Sequence, residues 1–600
     1  MRLSLLGLTF AVLSFFAKDL CSAPQTDVAF DRFAADFVTG YLGWRPAEGV
    51  SLGLHEYDGR VTDFSRRSLD TELARLKEAD RQLAAIPVQK LSPRAGRSGR
   101  AACDYRLLQA TIRKALFKFQ DQHSYTRNPM TYAGAIDVNI YIKRNFAPLP
   151  ERVRSIIAVL RQAAKIMADA RANLETALPK PFIETAIQVS EGSADFLGKD
   201  LVDALKELKD QSLRTEFTTA NKAAISELRN YVTWLKEEKL PNANNDYPLG
   251  RAKFAQMLRD SEFIDLSPEQ LLDLGLRELH REQQILAETA KKIDPTREPI
   301  EVLKQIQKDH PTAESLIPDT RKNLEAIRQF LVDRHIITIP SEVRPRVEET
   351  PQFERATSFA SMDTPGPFET RANEAYYYVT PVEKDWSPQQ KEQWLTAFNY
   401  YTTDVVTIHE AYPGHYTQFL CLNASPANRL EKIFNSYAFV EGWAHYTEQM
   451  MLDEGFGRAG RSGPNMPSAS GQSAALVAAK YRLAQSDEAL LRLCRLCCSI
   501  KLHCQNMTVD EATRFFQENC YYEEKPAHQE AIRGTFDPEY LYYTLGKLQI
   551  LKLRRDWQQQ EGRKFTLQRF HDEMLRHGAP PLRLLRELLL KDPSKWGQLF

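Results

Sequence analysis

The chain has 600 residues, 79 basic side chains against 79 acidic ones, and 43% apolar residues. Balanced charge excludes the basic footprint of a nucleic-acid binder, and the apolar content is enough for a large core. Length alone would suggest about four domains, but large helical enzymes break that rule, and the chain reads as one large unit.

Taken in order, residues 1–23 read as a secretory signal peptide. Arg2 gives a positive start, Leu3 to Phe16 is an apolar run, and Cys21-Ser22-Ala23 offers small residues for cleavage. Leu20 stands where a lipoprotein signal takes a small residue, so no lipid anchor is expected. The mature chain is expected to be secreted or periplasmic, with no integral membrane span after cleavage. Seven cysteines remain; those at 494, 497, 498 and 504 sit in helix-like surroundings and are expected to be buried thiols rather than a metal knuckle.

Residues 24–335 form an N-terminal helical region. Helical spacing of Leu, Ile, Ala and Phe predicts helices over 66–86, 150–177, 213–238, 267–292 and 312–332. Residues 90–101 read as an exposed loop. This region carries no recognisable chemistry and is expected to be one wall of a cleft.

Residues 336–600 form the catalytic region, continuous with the N-terminal part. Ile336 to Ile339 and Ala375 to Val379 predict strands of a small sheet (336–381) at the cleft edge, by β-branched and aromatic content. The Tyr376–Val379 strand is a candidate to pair with an extended peptide. Helices over 387–420 and 427–453 lie within a site region, 387–455. A Gly/Ser/Pro-rich loop spans 457–473. Further helices are predicted at 474–503, 508–519, 538–556 and 566–592. The fold class is thus mainly α: a large two-lobed helical fold with a deep central cleft.

The chemistry concentrates in residues 404–448. His409-Glu410 and His415 offer two histidines with a glutamate beside the first, the parts of a hydrolytic zinc site. A separation of six residues puts the histidines about 120° apart on a regular helix, where four would leave about 40°. Pro413-Gly414 lies between them, so a bulge in the helix is expected to bring His415 back beside His409. Glu441, His445 and Glu448 follow at i, i+4 and i+7 on one helical face amid apolar neighbours. His409, His415 and Glu441 make three ligands with a fourth position open, and Glu410 is left as general base. Asp404 or Glu448 would orient a ligand histidine.

These stretches, with Tyr543-Thr544-Leu545-Gly546 and the run from Phe570 to Leu575, resemble the domain-of-unknown-function 885 family of gluzincin-like metallopeptidases. Two departures stand out: Tyr416 where many relatives have a second histidine, and His445 where they have an aliphatic residue. The resemblance implies a secreted zinc metallopeptidase acting on a peptide or peptide-like substrate, with Zn2+ as cofactor and Glu410 as base toward metal-activated water. It also implies Tyr543 as stabiliser of the developing oxyanion; His503 is a weaker candidate for the same role. Two alternatives share the residues: a zinc amidase on a non-peptide amide, and a catalytically inactive binding protein.

Overall fold

The computed structural model describes residues 25–91, 100–351, 355, 359–458 and 473–600. The expected signal peptide and most of the loops at 90–101 and 457–473 lie outside the described residues. The described chain is mostly helical with one three-stranded sheet, so the mainly α expectation holds. No described helix is long and apolar enough to cross a membrane.

Buried side chains gather in two cores. One is built mainly from residues 30–235 and the other mainly from 247–599. The two cores therefore meet near residue 240 in the chain. The exchange across it is specific: Leu430, Ile433 and Phe434 pack into the first core, where Tyr41 meets Phe434 edge-on with centroids 5.3 Å apart.

Six helices build the site and its surroundings. They are α1 (Pro268–Ile293), α2 (Tyr400–Glu410), α3 (His415–Ala424), α4 (Tyr437–Asp453), α5 (Ala474–Cys504) and α6 (Tyr542–Glu561). α1 starts with a Ser267/Gln270 capping box and Pro268 in its first turn, which satisfies the orphan amides there. α5 is buried on nearly every face from Tyr481 to His503, and its buried charges are paired, Arg492 with Glu488 and Glu448 and Arg495 with Glu530. Its cysteines at 494, 497 and 498 are buried free thiols.

α4 and α6 cross where Gly442 faces Gly546. A Cβ on Gly546 would overlap the Ala438 carbonyl, and one on Gly442 would overlap the Gly546 backbone. Only hydrogen at both positions allows the backbones this close. The start of α4 is fixed by Ser436, whose side chain accepts from the Phe439 amide at 3.0 Å and donates to buried Glu262 at 2.6 Å.

The sheet comprises β1 (Arg346–Glu349), β2 (Ala360–Asp363) and β3 (Tyr376–Val379), in the order β1-β3-β2, with β1 parallel and β2 antiparallel to β3. Two expectations are corrected here. β3 is the central strand, paired on both sides, so it has no free edge for a peptide. Residues 336–339 form no strand: the Ile336 carbonyl accepts from His571 Nδ1 at 2.8 Å, and Asp572 takes the Thr338 amide at 2.8 Å. Side chains from 570–572 thereby occupy the place of a sheet neighbour.

The long helices predicted over 387–420, 427–453, 150–177 and 566–592 each divide. The last of these breaks at Pro580-Pro581, which cannot continue a helix.

Candidate metal centre

The approach to the site is a chain reversal. α2 ends at Glu410, the Tyr412–Pro413 bond is cis, and α3 begins at His415. The expected bulge within one helix is thus corrected to a turn between two helices. The Gly414 amide donates back to the Ile408 carbonyl at 3.0 Å, and a Cβ on Gly414 would overlap the His409 carbonyl. Trp443 of α4 holds the turn from the other side, its indole N–H donating to Pro413 O at 2.9 Å. Six residues apart in sequence, the two histidine rings end 4.9 Å apart and nearly perpendicular.

Glu441 of α4 completes the group. Its Oε2 lies 3.6 Å from His409 Nε2 and 3.5 Å from His415 Nε2, and one ligand atom from each of the three residues lies within 4.8 Å of the others. These separations are long for hydrogen bonds, and the buried Oε2 has no hydrogen-bond partner. Atoms arranged tetrahedrally at zinc–nitrogen and zinc–oxygen distances of about 2.0–2.2 Å stand about 3.4 Å from one another. The donor set and its spacing therefore fit a zinc ion. Among the described residues this is the one cluster of its kind.

Glu448, two turns along α4, carries the next layer. Its Oε1 accepts from His409 Nδ1 at 2.7 Å, its Oε2 accepts from His445 Nδ1 at 3.0 Å, and Arg492 of α5 stands 3.4 Å away. A carboxylate can only accept, so Nδ1 of His409 carries a proton, and it is Nε2, facing Glu441, that would give up its proton to a metal and present the lone pair. This is the support that metal-binding histidines need. Asp404 has a different role: it accepts from the Tyr481 hydroxyl at 2.6 Å.

The electrostatics follow. Burial opposes a charged His409, yet the carboxylates of Glu441 and Glu448 overcome it and lift its pKa to about 9. Burial would raise Glu441, but His415 and His409 hold it well below the usual carboxylate range. Glu448 is likewise held low, against burial, by Arg492 and the two histidines it touches. A divalent cation would displace the proton these groups share.

Glu410 ends α2, half-buried, close enough to the Tyr377 phenol to help burial raise its pKa. Tyr377 of β3 shares a 3.1 Å hydrogen bond with Thr407, which ties the sheet to α2. Tyr543 is brought to the centre: its ring lies 6.4 Å from His409 and nearly parallel to it. Arg492 and Arg495 lie over the same ring at 5.9 and 5.2 Å. His503 is not brought there. Its Nε2 donates to Gly534 O at 2.9 Å, Nδ1 accepts from the Leu249 amide at 3.3 Å, and burial lowers its pKa to about 4. With both nitrogens on backbone, it has no atom for an oxyanion and is corrected to a structural residue. His571 is similarly committed, to Ile336 O and the Tyr446 hydroxyl.

Arg492 was not found by sequence reasoning. The signal for it was a cation inside the apolar run from Leu490 to Leu496, where a charge needs a buried partner.

Comparison with known proteins places the chain. The model of the family described as bacterial protein of unknown function, DUF885, matches residues 46–589. The chain belongs to this family. It is similar in structure to a candidate lipoprotein of unknown function from Shewanella oneidensis, at 24% identity and a TM-score of 0.74, over 94% of this chain and 100% of that one. It is also similar to a candidate lipoprotein from Colwellia psychrerythraea, at 18% identity and a TM-score of 0.75, over 95% and 99% of the two chains. No curated protein matches it.

Proposed function

We propose that the protein is a zinc-dependent hydrolase of peptide bonds, acting outside the cytoplasm. The observation that carries this reading is the meeting of His409, His415 and Glu441, with Glu410 beside the first ligand and Glu448 clamping its far nitrogen.

A zinc ion bound there supplies a Lewis acid and makes water nucleophilic near neutral pH. His409 and His415 present Nε2 and Glu441 presents Oε2. Glu448 fixes the His409 ring and its tautomer. Glu410 takes the proton from the attacking water and returns it to the leaving nitrogen. The Tyr543 hydroxyl donates toward the oxyanion as the carbonyl becomes tetrahedral. An intact Glu410 favours turnover over mere binding, since binding needs no base beside a ligand. The N-terminal apolar run and the description of both neighbours as candidate lipoproteins support export.

The test is metal analysis of the purified full chain followed by digestion of a peptide library. About one zinc per chain, and cleavage that stops on chelation and returns with zinc, is expected. Stoichiometric zinc retained by His415→Ala, or cleavage unchanged by chelation, overturns the reading.

A further inference from the structure

Beside His445, whose Nδ1 is held by Glu448, lies a cavity of about 480 Å³, bounded by α1, α4, α5 and α6. Its volume falls in the range of small-molecule sites, about 300–1,000 Å³. Five cationic side chains line it against three carboxylates. All three carboxylates already have partners: Glu278 accepts from Arg281 at 3.5 Å, Glu282 from Ser486 at 2.6 Å and Asp453 from Gln449 at 3.3 Å. Of the cations, Arg482 pairs with Glu282 at 3.6 Å and Arg554 with Glu454 at 3.4 Å.

Three lining groups stand out because they are buried and unmatched. Lys547 is only 6% exposed, and its ammonium makes no hydrogen bond or ion pair among the described residues. The Thr544 hydroxyl, one turn before it, is buried with no hydrogen-bond partner. His445 is 1% exposed; its Nδ1 is spent on Glu448, and its Nε2 has no partner among the described residues. Glu282 and Glu448 attract Lys547 from beyond ion-pairing distance, but a buried lysine with no carboxylate in contact is costly, so the site suits an anion. The set also defines which anion. Lys547 and Thr544 can donate to anionic oxygens. Neutral His445, whose Nδ1–H faces Glu448, offers a lone pair at Nε2 and therefore wants a hydroxyl. Burial and Lys547 keep that imidazole neutral, with a pKa near 3.

We propose that this cavity binds a phosphate group, free or as the monoester of a small molecule, with P–O⁻ oxygens on Lys547 and Thr544 and a P–OH donating to His445. Glu448 touches both His409 and His445 but does not line the cavity, and no candidate metal ligand lines it either, so the site stands or falls independently of the peptidase reading.

The experiment is calorimetric titration of the full chain with inorganic phosphate, glycerol phosphate and sulfate. Phosphate or its monoester is expected to bind, and sulfate, which has no proton to give His445, to bind at least about tenfold more weakly. Lys547→Met, which replaces a buried cation by a chain of similar length, is expected to keep the fold and lose at least about tenfold in phosphate affinity. Tighter binding of glycerol phosphate supports a monoester, and tighter inorganic phosphate supports the free ion. No heat with either, equal binding of sulfate, or full phosphate affinity in a folded Lys547→Met chain overturns the proposal.

Discussion

At the scale of single residues, the proposed function gives three glutamates around one candidate metal site three different jobs. Glu410→Gln keeps size and polarity but cannot accept a proton; it should retain zinc while losing about 10²–10⁴-fold in kcat. Glu441→Gln should instead lose metal first, because a neutral amide is a poorer ligand for a divalent cation than a carboxylate. Glu448→Gln should sit between them. An amide can present its NH₂ to His409 and reverse the tautomer, so metal affinity is expected to drop about 10–100-fold, with residual activity restored by excess zinc. Zinc content of the three purified variants, read beside peptide cleavage, separates the roles. Loss of metal in Glu410→Gln with retention in Glu441→Gln would mean that base and ligand are exchanged. The candidate ligands that the fold brings together were legible in the sequence because His-Glu and a later Glu are scarce in apolar surroundings. The Glu448–Arg492 pair was not, because only the fold brings α4 and α5 together.

At the scale of elements, the centre depends on two local arrangements. The first is the α4–α6 crossing. Gly546→Ala forces a methyl into the Ala438 carbonyl and should cost about 1–3 kcal/mol or more in denaturant unfolding, with Tyr543 displaced and activity falling with it. Wild-type stability in that variant would mean that the helices can part cheaply. The second is the start of α4, where burial raises the Glu262 carboxyl to a pKa of about 7 from 4.5, against the Ser436 hydrogen bond. Its folded pKa lies above its unfolded one. The stabilising contribution is therefore complete below pH 4.5 and is lost as pH rises through 7. Glu262→Gln should remove this dependence, gaining relative to wild type by up to roughly 3 kcal/mol between acidic and mildly basic solution. Urea midpoints of the two chains at both ends of that window check it, and parallel pH curves would sink it. The turn at 411–414 shows what sequence could and could not say here. Pro413-Gly414 announced an irregularity, but whether it bulged a helix or ended one depended on the Trp443 indole from a helix some thirty residues on.

At the scale of the whole molecule, the mainly α architecture was legible because helical periodicity is strong and repeated. The region of the small sheet and its strand at 376–379 were legible too, but its two flanking strands and their order were not, since β3 becomes central only through partners from both flanks. Export is a prediction at this scale: mature protein sequenced from its N-terminus should begin between about residues 22 and 27. Intact Met1 on cytoplasmic protein would refute it.

The exchange of Phe434 into the first core has a consequence for dissecting the chain. A piece beginning after Leu235 would retain His409, His415, Glu441, Glu410 and Glu448, the whole candidate centre. It would also leave Leu430, Ile433 and Phe434 without their partners, two residues before the cap of α4. The half that contributes no residue to the candidate centre is thus a template against which the other half packs, and the isolated second half is expected to hold its candidate ligands less well.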